Sequence, residues 1–392
     1  MVKPRLGFGD LYMSGFDVSW FDNVSSAVTP VEYDGLIERV PGATVFNSWP
    51  WVTACSDHLL SNEAISVLTI RSRDETLIAI ALTVVKIENL YGIRTKVARF
   101  VGVPYGDRFS LLVDPKIDKL MPVFLDNLIN HAPDSWDYFV WNEYLEDAEI
   151  DPKIESWAKG SHPRFYKIAT SHCPVLPLST LTREEMEKSY SKNMKTRLRR
   201  GRKKLQAAGD VEITHYRPDE NKVAALLDEI RAVEERSWKG EDGVGIFSRG
   251  SFAFFKDVSQ RLAKRQLLDV AEIRINGELA TYRYGFCYRG GFLDYNLAFL
   301  PEYKKIGLGR ILLDEIILSA LDNGYSALDG SRVGVNSRHL LFERTEKTVR
   351  HLRWYWYSNS FKGLCIQFII EFAKPMGRKW RDKINALLND KN

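Results

Sequence analysis

The chain has 392 residues, 45% of them hydrophobic and 27% charged, with a formal net charge of +4 at pH 7. This is the composition of a folded globular protein and excludes disordered, collagen-like and disulfide-rich classes. The length asks for two domains or more, and so mild a net charge leaves phosphate recognition to local patches.

The four cysteines, Cys55, Cys173, Cys287 and Cys365, are far apart with no CxxC pair, so reduced, buried thiols are expected rather than a zinc ribbon or a redox motif. The seven histidines show no HxxxH or HxH spacing, and no metal is expected. The N-terminal residues carry no signal-peptide pattern, and no run approaches the ~20 apolar residues of a membrane span, so a cytoplasmic location is expected.

Residues 1–40 read as an irregular lead-in. The next unit, 41–175, has strand patterns at Val67–Arg71 and Leu77–Val85 around the turn Ser72-Arg73-Asp74-Glu75, and shorter ones at Ala98–Gly102 and Ser110–Val113. A helix over Leu120–His131 and a strand at Tyr138–Asn142 follow. The unit 176–365 opens with Thr182-x-x-Glu185, a capping box, and a helical region ending near Gly209. Val211–Tyr216 reads as a strand, and Asn221–Trp238 and Gly250–Arg265 as helices. Strands Leu268–Ile275 and Leu279–Tyr288 flank Asn276-Gly277, a strong hairpin signal. A strand at Phe292–Leu300, a helix at Ile311–Leu321 and short strands at Ser326–Asp329 and Leu352–Tyr357 complete the unit. The segment 366–392 is apolar and then basic, with Lys374, Arg378, Lys379, Arg381 and Lys383. A packed terminal helix is expected there, although such a segment can also rest on a membrane surface.

The two units echo each other. Ile70-Arg71, a polar turn and the strand from Leu77 parallel Ile273-Arg274, the turn at Asn276-Gly277 and the strand from Leu279. The helix Phe124–Ile129 parallels Leu312–Ile317, and each leads into a short strand, so a duplicated fold is expected.

The most informative run is Tyr303-Lys304-Lys305-Ile306-Gly307-Leu308-Gly309-Arg310, between a strand and a helix. Glycines there let the backbone approach a ligand and leave first-turn N–H groups free for an anion, as in a pyrophosphate cradle. A dinucleotide fingerprint needs a third glycine in a βαβ unit, and a P-loop needs GxxxxGK[ST]; neither is present. The first unit has Val103-Pro104-Tyr105-Gly106-Asp107 at the corresponding place, with no glycine pair. The second feature is 191–204, where eight of the residues are basic and none is acidic. Met194, Leu198 and Leu205 form its apolar stripe, and its cationic faces suit phosphates. Aromatics are not interleaved with these charges, so nucleic acid is not expected as the main partner.

The pattern [Arg/Gln]-x-x-Gly-x-[Gly/Ala], after an antiparallel meander and before a helix, resembles the acyl-CoA loop of GNAT acyltransferases, with Lys304 where Arg or Gln is usual. With the basic helix Ser191, Lys195, Arg197, Arg199, Arg200 ahead of it and a degenerate first copy, the whole is similar to the CelD-like or BioF2-like acetyltransferase group, associated with cellulose and exopolysaccharide synthesis. The resemblance implies an α+β fold of tandem GNAT-like domains, each a mostly antiparallel sheet flanked by helices. It implies acyl-CoA, acetyl-CoA in the first instance, as co-substrate bound by Lys304, Lys305, Ile306, Gly307, Leu308, Gly309 and Arg310. It also implies a saccharide or other small-molecule acceptor near Lys195, Arg197, Arg199, Arg200 and Trp238.

Direct transfer needs a base for the acceptor and an acid for the leaving thiolate. Asp294, on the strand that enters the loop, and Asp329, at the end of the following short strand, are the candidate bases, with pairing to Arg332 or Arg338 as the structural alternative. Tyr295 and Tyr303 are candidate acids, and Glu234 and Glu235 lie on an earlier helix. Cys287, mid-strand without a neighbouring His, reads as a core thiol. The same tandem arrangement occurs in FemABX peptidyltransferases, which use aminoacyl-tRNA; that reading and a non-catalytic binding protein are the alternatives.

Overall fold

The computed structural model describes residues 15–60, 63–248, 250–332 and 339–374. Its contacts divide the chain into two units. The first comprises Met1–Ala43, Leu60–Ala169 and Leu352–Asn392, and the second Thr44–Leu59 and Thr170–His351.

The described chain opens with β1 (Asp17–Phe21), α1 (Val24–Ala27) and α2 (Pro30–Arg39), so the described part of the expected irregular lead-in, 15–40, is mostly regular structure. Thr29 and Glu32 close a capping box on α2, and Pro30 is its first residue. The helix α3 (Trp49–His58) belongs to the second unit. The first unit resumes with β2 (Ile65–Arg71), β3 (Leu77–Leu90), β4 (Ile93–Phe100), β5 (Leu112–Val113), α4 (Leu120–Ile129), β6 (Tyr138–Leu145) and α5 (Asp151–Ser161). Its strands run in the order β1-β2-β3-β4-β6, antiparallel except for the parallel pair β4–β6. Leu120, Phe124, Leu125 and Leu128 of α4 join Trp141, Trp157, Trp354 and Trp356 in its core.

The second unit takes in most of β7 (Phe165–Pro177), then α6 (Arg183–Ser189), α7 (Lys192–Gln206), β8 (Val211–Tyr216), α8 (Val223–Arg236), α9 (Trp238–Glu241) and α10 (Phe252–Lys264). The meander β9 (Leu268–Ile275), β10 (Glu278–Tyr288) and β11 (Gly291–Phe299) leads to α11 (Leu308–Asp322) and β12 (Ala327–Asp329). The sheet order is β7-β12-β11-β10-β9-β8; only β11–β12 is parallel. Ile311, Leu312, Ile316 and Ile317 of α11 cover Ala271, Ile273, Ala280, Phe292 and Leu328. An aromatic group, Phe46, Trp51, Phe254, Phe255, Tyr284, Phe286 and Tyr295, packs ring against ring elsewhere in the unit. The chain then runs through β13 (Thr348–Tyr357) into the first unit, where α12 (Phe361–Phe368) packs Ile366 against Tyr138 and Tyr357. Arg378, Lys379, Arg381 and Lys383 of the basic terminal segment lie outside the described residues.

Each unit therefore has an antiparallel meander whose last strand pairs in parallel with a strand reached through a helix: β4–α4–β6 and β11–α11–β12. The connections into the two helices differ. In the first unit residues 101–119 separate β4 from α4, and in the second only 300–307 separate β11 from α11.

No helix among the described residues is long and apolar enough to cross a membrane.

Candidate active site

The short connection after β11 is a single turn, Pro301–Tyr303, followed by Gly307 at φ 81° and ψ 41°. A left-handed backbone is what glycine supplies without strain, and it turns the chain directly into α11. Arg310 N–H already donates to Gly307 O at 3.0 Å, while the N–H groups of Leu308 and Gly309 precede the first intrahelical bond. Gly309 differs in kind: its backbone is ordinary, and a Cβ there would make normal contacts with Leu297 and Leu340 at 3.8 and 3.9 Å.

The basic helix α7 lies against this turn. A Cβ on Gly201 would come within 2.9 Å of Ile306 O, so the absence of a side chain sets how closely the helix approaches. Lys204 Nζ donates to Lys305 O at 3.2 Å. Arg310 donates to both carboxylate oxygens of Glu343, at 3.2 and 3.0 Å, and Arg197 lies 3.8 Å from the same carboxylate. The hydrogen bond from Arg310 holds the Glu343 carboxyl below its ordinary range, with smaller help from Arg197. Arg202 is drawn the other way, to Asp314 and Glu315 on α11. Lys195, Arg199, Arg200, Lys304 and Lys305 are exposed and form no ion pair among the described residues. At 100° per residue, Arg197, Gly201 and Lys204 share the edge of α7 that meets the turn, with Arg200 beside it. Lys195 and Arg199 lie toward the far side.

Below the turn, β11 places Asp294 and Asn296 one step apart. Asp294 is ion-paired with Arg283 of β10, both fully enclosed, and lies 3.2 Å from His339 Nε2. Arg283 also donates to Gly309 O at 3.0 Å, which ties Asp294 to the first turn of α11. Burial opposes ionisation of Asp294, but Arg283 and His339 outweigh it and hold the carboxyl below its ordinary range. His339 Nδ1 accepts the Leu341 N–H at 3.1 Å, so both ring nitrogens are engaged.

Asn296 Oδ1 accepts from Lys239 Nζ at 2.8 Å and from the Tyr282 hydroxyl at 3.1 Å. Burial lowers the Lys239 ammonium to about 8, against the opposing pull of Glu234 and Asp294. Glu234 is buried, and its Oε2 accepts the N–H groups of Phe247 and Ser248 at 2.7 and 3.0 Å.

Residues 192–334 match the family model described as an acetyltransferase (GNAT) domain. Among solved structures, FemX superposes with a TM-score of 0.60 at 10% identity, covering 87% of this chain and 98% of that one. The C-terminal domain (DUF2156) of a putative lysylphosphatidylglycerol synthetase from Agrobacterium fabrum gives 0.51 at 10% identity, with 86% and 96% covered. No curated protein sequence matches the chain.

The fold is the GNAT fold.

Within this GNAT fold the residues expected from sequence separate into groups. The turn from Lys304 to Arg310, Arg197 and Asp294 come together; helix periodicity sets Arg200 beside that edge of α7 and Lys195 and Arg199 toward its far side. Tyr295 faces Phe46, Trp51, Phe255 and Phe286 in the aromatic group, so packing accounts for its side chain. Asp329 accepts the Ser331 N–H at 2.8 Å and lies beside Leu293 across the parallel pair. Arg338 is outside the described residues. Tyr303 is half-buried against the α11 core, Glu235 pairs with Arg231 at 2.8 Å, and Trp238 is exposed at the start of α9. The Cys287 thiol is buried near the β10–β11 hairpin, away from the turn, accepting from Arg217 at 2.9 Å.

Sequence reasoning missed Lys239, Arg283, Asn296 and His339. Arg283 alone left a trace: an arginine amid Leu279, Ala280, Tyr282 and Tyr284 in a central strand needs a buried partner. No group of His, Cys, Asp and Glu among the described residues is arranged to hold a metal ion.

Proposed function

We propose that this protein is a GNAT-type acyltransferase that carries an acyl group, acetyl in the simplest case, from acyl-CoA to an amine or hydroxyl. The observation that carries this reading is the left-handed Gly307 opening α11, with the N–H groups of Leu308 and Gly309 ahead of the first intrahelical bond, flanked by Arg197, Lys204 and Arg310. A helix N-terminus beside cations suits a pyrophosphate, and the family model spans this segment. Arg283 connects the turn to Asp294, so donor site and reaction centre are neighbours. Asp294, held ionised, is a weak proton acceptor; its role in this reading is to hold Arg283 and orient His339.

The acceptor in this reading is a sugar or a polysaccharide precursor, as the CelD-like or BioF2-like resemblance suggests, with Arg200 and the exposed Trp238 as contacts. A second reading is favoured by the FemX likeness across 87% of the chain: an aminoacyl transfer from charged tRNA.

Direct binding separates the two. A fluorescent CoA analogue and a fluorescently labelled aminoacyl-tRNA are each titrated into the protein at 50 and 200 mM salt. The acyl-CoA reading expects the CoA analogue to bind at both concentrations and to be displaced by acetyl-CoA. Binding of the tRNA alone, falling about 10³-fold or more across that range, supports the second reading.

A further inference from the structure

The groups beneath the glycine turn differ in how far they are already committed. Asp294 is bound by Arg283 and His339. Glu234 accepts two backbone N–H groups and the Ser248 hydroxyl on one oxygen and faces Asn296 with the other, at 3.5 Å. His339 uses one nitrogen on Leu341 and the other on Asp294. The Tyr282 hydroxyl is fully buried and donates to Asn296.

Lys239 stands apart. Its Nζ makes one hydrogen bond, to a neutral amide, and has no carboxylate within ion-pair distance among the described residues. It is half-buried beside the exposed Trp238, and it meets Asn296, on the strand that enters the turn. The ammonium has three donors, of which Asn296 takes one.

We propose that Lys239 is the proton acceptor of the acyl-transfer step. The proposal rests on the acyltransferase reading above. The acceptor's nitrogen or oxygen adds to the thioester carbonyl carbon while its proton passes to neutral Nζ. The adduct collapses as the C–S bond breaks, and the ammonium returns the proton to the departing thiolate. Acyl-CoA and the acceptor become the acylated acceptor and free CoA thiol, with no further reactant. Asn296 Oδ1 orients Nζ. Burial favours the neutral amine, while Glu234 and Asp294 favour the ammonium; the balance brings the group to about 8, where both forms are populated near neutral pH. Arg283 and His339, which also face Asp294, limit how strongly that carboxylate holds the ammonium.

Two measurements test this. In the first, lysines are reductively methylated with ¹³C and titrated by NMR, with Lys239→Arg assigning the resonance. A methyl-lysine titrating well below the others, and shifting on addition of acetyl-CoA, is expected; Lys239 titrating with the surface lysines overturns the proposal. In the second, CoA thiol release from acetyl-CoA is followed from pH 6 to 10 with glucosamine or water as acceptor. Lys239→Met and Lys239→Arg are each expected to lose at least ~100-fold in kcat/KM, while binding acetyl-CoA as the wild type does. Retained turnover in the arginine variant, which keeps the charge but cannot accept a proton, overturns it. Failure of the wild type and both variants to bind acetyl-CoA is instead a failure of the acyltransferase reading.

Discussion

Replacing Gly307 by alanine tests whether the turn is built on a left-handed backbone. At φ 81° and ψ 41° an L-residue costs about 1–2 kcal/mol. Sterics add nothing, because a Cβ there would meet only Arg310 Nη1, at 4.0 Å. For a unit of this size each kcal/mol moves the melting temperature about 2–4 °C, so Gly307→Ala should melt about 2–8 °C lower. Asparagine tolerates this conformation better and should recover much of the loss. Gly309→Ala is the control. Its Cβ fits against Leu297 and Leu340, and alanine is favoured over glycine in a helix by up to about 1 kcal/mol. Its melting temperature should hold or rise. Differential scanning calorimetry of the three variants decides. A Gly307→Ala protein that melts with the wild type, or a Gly309→Ala protein that melts lower than Gly307→Ala, refutes the assignment of the strain.

Further outcomes follow from the electrostatics. Asp294→Asn leaves Arg283 buried without its partner, which should cost about 3–5 kcal/mol in denaturant unfolding. Asp294 has a lowered folded pKa, so its contribution to stability is present above the unfolded carboxylate pKa and lost as pH falls through the folded value. The acid limb of the wild-type stability profile should therefore be steeper than that of Asp294→Asn. Lys239 has the opposite sign of linkage. Its folded pKa, about 8, lies below that of the unfolded chain, so the unfolded state binds more protons between the two values and stability gains from rising pH there. Chemical denaturation from pH 8 to 10 should show this gain in the wild type and its absence in Lys239→Met. Finally, Arg197→Ala with Lys204→Ala should weaken acetyl-CoA binding several-fold and flatten its salt dependence. Lys195→Ala with Arg199→Ala, on the far side of α7, should do neither when both pairs are measured by fluorescence displacement.

What could be read from the sequence was local. Asn276 and Gly277 both take positive φ, at 53° and 82°, as the hairpin requires, and Thr182 and Glu185 close their capping box. The glycine turn was legible for the same reason: Gly307 shows a backbone need in a single residue. The expected helical region from Thr182 to near Gly209 holds two helices, because Ser191 caps a second start by accepting the Met194 N–H. The strand β7 escaped notice because Pro174 and Pro177 and a run of polar residues mask its alternation, and α5 because Gly160 and a short length blur its period. The proposed reaction centre was hidden by sequence distance. Lys239 and Asn296 meet from α9 and β11, and Arg283 and Asp294 from adjacent strands, so no spacing rule finds them. Asp294 was found as a residue but not as a role, since only its partners show that it is held as an ion.

In the acyltransferase reading, the turn at Gly307–Gly309 holds the pyrophosphate of an acyl-CoA. Isothermal titration calorimetry of acetyl-CoA into the wild type and into Gly307→Glu tests it most directly, because the glutamate sets a negative charge at the anion site. Micromolar binding by the wild type and its loss in the variant is the predicted result; no heat from the wild type, or equal binding by both proteins, contradicts it.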